Sequence, residues 1–115
     1  MKYTIPQEKL EKLVFRYLDM MYGDLEQHEA KTYKGTVLKK PSDKTEYGIM
    51  GFRKNDGTLY IYYKLINEIS SIFSLEYDDS KGLIGMWVED RYKLKVGYTF
   101  RKPNPYSSTL KIDIN

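Results

Sequence analysis

Apolar residues at Leu10, Leu13, Val14, Tyr17, Leu18 and Met21 recur at the spacing of one helix face, and predict a first helix over about Pro6–Tyr22. Thr4 with Gln7 resembles a capping box, Pro6 is tolerated in a first turn, and Gly23 is read as a left-handed C-cap. Phe15 and Met20 fall outside the main stripe. They imply either a wide buried face or apolar surface offered to a partner. Asp24–Ala30 reads as a polar, acidic connector. Thr36-Val37-Leu38 is a short strand candidate, closed by the turn residues Pro41-Ser42-Asp43.

The pattern changes period in the middle of the chain. Tyr47–Lys54 and Thr58–Lys64 read as strands, joined by Asn55-Asp56-Gly57, whose residue types tolerate the positive φ of a hairpin turn. In the second strand Leu59, Ile61 and Tyr63 alternate with Tyr60 and Tyr62, so both faces are apolar or aromatic. One face is expected to pack on helices and the other to meet a further element, a second subunit or a ligand.

Helical spacing then returns at Leu65, Ile66, Ile69, Ile72 and Phe73, giving a second helix over about Lys64–Phe73. A third helix is expected from Asp79 to about Leu94, with Asp79 as N-cap and Leu83, Ile84, Trp87, Val88 and Tyr92 inside. Gly82 and Gly85 within it each cost roughly 1 kcal/mol relative to Ala and suggest close approach of another backbone. Past Gly97 the chain reads as a tail: Arg101-Lys102-Pro103-Asn104-Pro105 as an extended linker, then a terminal strand in which Leu110, Ile112 and Ile114 alternate with Lys111 and Asp113. The expected architecture is α+β: one domain over residues 1–97, an antiparallel sheet of three to five strands with about three helices on one face, and an extended tail over 98–115.

The chain has 115 residues, enough for one modest core. Without cysteine, disulfides, thiolate metal sites and cysteine nucleophiles are excluded. The absence of bridges in so small a domain favours an intracellular or virion setting. Residues 1–6 show no signal-peptide apolar run and no stretch reaches membrane-spanning length, so a soluble, cytoplasmic protein is expected, in host cytoplasm or virion if viral. Net charge is only +3, but it is segregated: residues 1–30 and 65–90 are acidic overall, and 31–64 and 91–115 basic. This suggests either intramolecular charge matching or a basic sheet face for an acidic partner.

Catalytic signals are weak. His28 stands alone in an acidic loop and reads as a solvated histidine. The pairs Asp78/Asp79 and Glu89/Asp90 lie roughly 15 Å apart along one helix, too far to share an ion. No phosphate loop, nucleophile elbow or ordered triad occurs. No enzyme activity, metal or cofactor is therefore expected, and a carboxylate-dependent hydrolase is a remote third reading. A helix-turn-helix DNA reader is disfavoured, because the third helix opens on Asp78 and Asp79, which phosphates repel.

Within Gly48–Lys95, the run Gly51-Phe52-Arg53-Lys54-Asn55-Asp56-Gly57, then Leu59-Tyr60-Ile61, Phe73-Ser74-Leu75 and Trp87-Val88-Glu89-Asp90-Arg91-Tyr92-Lys93-Leu94 resembles small uncharacterised proteins of tailed phages and large DNA viruses. Those share a strand, an Asn/Asp-Gly turn, a strand, a short helix and a Trp-[Leu/Val]-Glu-x-x-Tyr-Lys-Leu ending. The likeness covers under half the chain and departs at Asp79-Ser80-Lys81-Gly82, where an acidic-Ile start is usual. It implies a viral origin and carries over no catalytic residue.

Two functions follow as expectations. The leading one is a non-enzymatic phage or viral accessory protein acting through protein contacts, with a homodimer as one form, using Phe15, Met20, Leu110, Ile112 and Ile114. The alternative is a weak nucleic-acid binder using Lys39, Lys40, Arg53, Lys54, Tyr60, Tyr62 and Lys64, with Tyr60 and Tyr62 as stacking rings on one strand face.

Overall fold

The computed structural model describes residues 7–45 and 48–102. Their elements run α1 (Gln7–Tyr22), β1 (Glu26–Glu29), β2 (Gly35–Lys39), β3 (Met50–Arg53), β4 (Thr58–Tyr62), α2 (Tyr63–Phe73), α3 (Tyr77–Tyr92) and β5 (Tyr98–Lys102). The expected α+β class holds. The five strands lie in the order β1-β2-β3-β4-β5. Neighbours β1 to β4 pair antiparallel, but β4 and β5 are parallel, so the sheet is mixed. The reason is the connection: α2 and α3 carry the chain back across the sheet before β5 begins, as a parallel neighbour requires.

Several expected boundaries move. Glu26–Glu29, read as connector, is edge strand β1, exposed at every position. Its residues show no apolar alternation because neither face is buried. Tyr98–Lys102, read as the start of a tail, is β5. Gly23 is not left-handed; among the described glycines only Gly48 and Gly57 have positive φ. Gly23 is instead required by crowding, because a Cβ there would collide with the Asp19 carbonyl and lie 3.2 Å from the Arg91 guanidinium. Helix α3 starts before Asp79: Glu76 is its N-cap, and Asp78 and Asp79 sit in its first turn. The terminal strand around Leu110–Ile114, the Thr4/Pro6 cap and Tyr47 lie outside the described residues.

The core is the layer between helices and sheet. Leu38, Met50, Phe52, Leu59 and Ile61 of the strands meet Val14, Leu18, Leu65, Ile66, Ile69, Leu83, Ile84, Trp87 and Val88 of the helices. Each fully buried aliphatic side chain contributes roughly 1.5–3 kcal/mol. Helix α1 is then fastened by polar bonds at its C-terminal half. The Trp87 indole donates to Asp19 Oδ1 at 2.8 Å. The Tyr92 hydroxyl donates to the Tyr22 carbonyl at 2.8 Å and accepts from the Leu25 amide at 3.1 Å. Tyr17 and Tyr22 both donate to the Glu68 carboxylate on α2.

The two glycines of α3 differ in purpose. At Gly85 an added Cβ would stand 2.6 Å from Thr99 Cγ2 on β5, so its missing side chain lets strand and helix close together. At Gly82 nothing lies within 4 Å. Gly82→Ala is expected to stabilise the protein by roughly 1 kcal/mol through helix propensity alone. Gly85→Ala should destabilise it by roughly 1–3 kcal/mol through overpacking. Equilibrium denaturation of the two variants reads these opposite signs.

The Glu68 clasp also sets a pH limit. Its carboxylate, with burial, pushes the Tyr17 hydroxyl from 10.0 up to about 12. Burial, with the same carboxylate, raises Tyr22. A raised tyrosine favours the neutral phenol in the fold, so this stabilisation is complete below pH 10 and lost as pH rises towards about 12. Denaturation midpoints of the native chain should fall across that window, and the fall should be shallower in the Tyr17→Phe/Tyr22→Phe variant.

Candidate functional site

Strand alternation sends every second side chain away from the helices. With Leu59 and Ile61 in the core, Thr58, Tyr60 and Tyr62 of β4 point to the other face. The parallel register pairs them with Tyr98, Phe100 and Lys102 of β5. The antiparallel register places Gly51 opposite Tyr60 and Arg53 opposite Thr58 on β3. No helix crosses this face among the described elements. On β2 to β4 this face carries Lys39 and Arg53 and no carboxylate; Arg101 pairs with Ile61 on the helix side, and the edge strand β1 brings Glu26 and Glu29.

The result is a continuous band of rings. Tyr60 and Phe100 stack with centroids 6.2 Å apart and planes at 25°. Tyr98 lies 6.2 Å from Phe100 at 32°. The Tyr33 hydroxyl lies over Gly51, where a Cβ would displace it, which extends the band towards β2. Arg53 sits over Tyr60, 5.6 Å from its centroid, at the distance of a cation–π contact. Tyr62 meets Tyr63 edge-on at 5.2 Å. Exposure varies along the band: Phe100 is 50% and Tyr98 61% exposed, whereas Tyr60 and Tyr33 are half-buried. Burial raises the Tyr33 hydroxyl.

The β3–β4 turn is held by charge. Arg53 makes two bonds to Asp56, Nε to Oδ1 at 3.2 Å and Nη2 to Oδ2 at 2.6 Å, a bidentate geometry. Asp56 Oδ1 also accepts the Thr58 amide at 3.1 Å, and Gly57 adopts φ +72°. The bond from Arg53, aided by Thr58, brings Asp56 from 3.8 down to about 2.

Beside that turn lies an open cleft of about 590 Å³, between it and the segment leading from α3 to β5. Its floor is apolar, with Phe52, Leu94 and Val96, and its lining also includes Lys54, Asp56, Gly57, Lys93, Lys95 and Gly97. Gly97 donates its amide to the Gly57 carbonyl at 2.7 Å, so Tyr98, the next residue, joins cleft and ring band.

Of the residues expected in a nucleic-acid site, Arg53, Tyr60 and Tyr62 share the open face, and Lys54 lies at its end in the cleft. Lys39 donates to the Thr45 carbonyl at 2.8 Å. Lys40 is drawn to α1, donating to Asp24 Oδ1 at 3.0 Å and resting 5.2 Å from the Tyr22 ring. Lys64 is exposed in the first turn of α2. Of the expected interface residues, Phe15 is half-buried against the core and Met20 is 74% exposed. Leu110, Ile112 and Ile114 lie outside the described residues. Tyr98, Phe100, Tyr33, Lys93 and Lys95 were not singled out from sequence. The alternation Tyr98-Thr99-Phe100 was a usable signal, masked by the glycine before it and the prolines after it.

His28 is exposed on β1, 3.1 Å from Glu26. No described helix is long and apolar enough to cross a membrane. No family model, curated protein or solved structure matches the chain.

The depressed Asp56 carboxyl gives a direct check on the turn. A lowered pKa contributes stability that is present above the ordinary value of 3.8 and lost as pH falls through about 2. Asp56→Asn should melt below the native chain at neutral pH, and the gap should close as pH falls across that window.

Proposed function

We propose that the protein is a binding module that takes single-stranded nucleic acid on the open face of its sheet. The observation that carries this reading is the ring band of Tyr60, Phe100 and Tyr98, stacked across two strands and exposed at its outer end. Splayed bases present flat π-faces, and stacking on such rings contributes roughly 1–3 kcal/mol per base without regard to sequence. In a duplex those faces are hidden, so a sheet of this kind selects unpaired strands. On β2 to β4 the ring-bearing face supplies Lys39 and Arg53 and no carboxylate, and the acids Glu26 and Glu29 are confined to the edge strand β1, which suits a phosphate backbone crossing β3 to β5. Arg53 is already seated over Tyr60, where its guanidinium is positioned beside any base stacked nearby.

The sheet face also bears on the expectation of protein contacts, since exposed aromatic rings are enriched at interfaces. Charge bears on the choice: a homodimer centred on the rings of β4 and β5 would bring the cationic ends of β3 and β5 in each copy together. Single-stranded nucleic acid therefore fits this face better, with self-association as the outcome that opposes it.

The test is anisotropy of a labelled oligothymidylate at low salt, with Tyr98→Ala and Phe100→Ala. Both rings are half or more exposed, so melting temperatures should hold. Affinity should fall roughly five- to a hundredfold for each. Failure of the native chain to bind, together with a concentration-dependent mass in light scattering that the same alanines abolish, would replace this reading with self-association.

A further inference from the structure

We infer that the cleft between the β3–β4 turn and the α3–β5 segment is a phosphate site, through which the backbone of a strand stacked on Tyr98 leaves the sheet. The identity of the ligand as nucleic acid rests on the function proposed above; the phosphate chemistry of the cleft does not. Three lysines, Lys54, Lys93 and Lys95, line it together. Among the described residues none of the three is in an ion pair. The carboxylate in the cleft, Asp56, is occupied by Arg53 and the Thr58 amide, so it does not neutralise them. Like charges sharing a concavity raise its potential and favour an anion there.

Lys93 supplies the second argument. It is the C-cap of α3, at φ 59° and ψ 36°, a left-handed conformation that suits glycine and is unfavourable for a residue with a Cβ. Its amide bonds the Glu89 carbonyl at 3.1 Å, a bond a glycine would make equally well. The capping geometry therefore gives no reason for a lysine, whereas a phosphate in the cleft does. Position also fits. Gly97 lines the cleft and precedes Tyr98, whose ring opens the band, so base stacking and phosphate binding fall on one continuous path.

The experiment measures oligothymidylate affinity against salt for the native chain and for Lys54→Gln/Lys93→Gln/Lys95→Gln. Each phosphate contact to a single strand adds about 0.7 to the slope of log K on log salt. The triple variant should therefore have a slope shallower by about 2, whereas Tyr98→Ala should weaken binding at every salt concentration with the slope kept. Lys93→Gly should raise the melting temperature and weaken the oligonucleotide together, opposite signs that a merely structural lysine would not produce. A parallel amide-shift titration with inorganic pyrophosphate should move residues 93–97 in the native chain and not in the triple variant. An unchanged slope, or pyrophosphate shifts elsewhere, would overturn the site. Should the oligonucleotide fail to bind at all, the proposed function falls. Pyrophosphate alone then decides the cleft: shifts at 93–97 support it and their absence removes it.

Discussion

The surface of this protein depends on the placement of β5 parallel to β4. Parallel neighbours need a crossover, and here α2 and α3 supply it on a single side of the sheet. That one-sided crossing covers Leu59 and Ile61 and leaves Tyr60 and Tyr62 uncovered. It also delivers Tyr98 and Phe100 into register beside them. The close seat of α3 on the strand is set by Gly85, whose absent Cβ admits Thr99. Helix α1 then closes the layer through Asp19 on the Trp87 indole and the tyrosine pair on Glu68. These bonds are polar but partly shielded, where a lost partner costs more than an exposed one.

The two faces of the sheet thus follow different physics. The inner face is fixed by apolar burial and tolerates little change of volume. The outer face is fixed by ring–ring and ring–cation contacts that leave edges wet. Tyrosine suits it, because its ring packs while its hydroxyl stays solvated. Such a face keeps flat ring surface in solvent while the core beneath stays covered. The turn at one end is tied by Arg53 and Asp56, an ion pair that itself meets solvent.

Much of this was readable along the chain. The hairpin, all three helices and the β2 segment follow from periodicity, because each buries one face. Strand β1 did not, since Glu26-Gln27-His28-Glu29 buries nothing and pairs through its backbone alone. Strand β5 was hidden by Gly97 and the following prolines, and its direction follows from the crossover rather than from its own residues. The site divided in the same way. Tyr60, Tyr62, Arg53 and Lys54 were legible because they lie on the hairpin. Tyr98, Phe100, Lys93 and Lys95 were not, because their neighbours come from a distant stretch brought alongside by the register. Lys40 shows the converse: close to the hairpin in sequence, it turns to Asp24 and Tyr22 on the other side of the molecule.

The separation of charge between layers has a kinetic consequence. Strands β2 to β5 hold only cations, while α3 carries Asp78, Asp79, Glu89 and Asp90 against Lys81 and Arg91. Edge strand β1 adds Glu26 and Glu29 and the charges of α1 and α2 balance, so the contrast lies between β2 to β5 and α3. On the proposed function, a polyanion passing this contrast is drawn towards the ring-bearing strands rather than towards α3, so a larger fraction of encounters begins on that side. The effect weakens as salt shortens the range of the field to about 8 Å at physiological ionic strength. Orientation is then settled within the last few water layers rather than during approach.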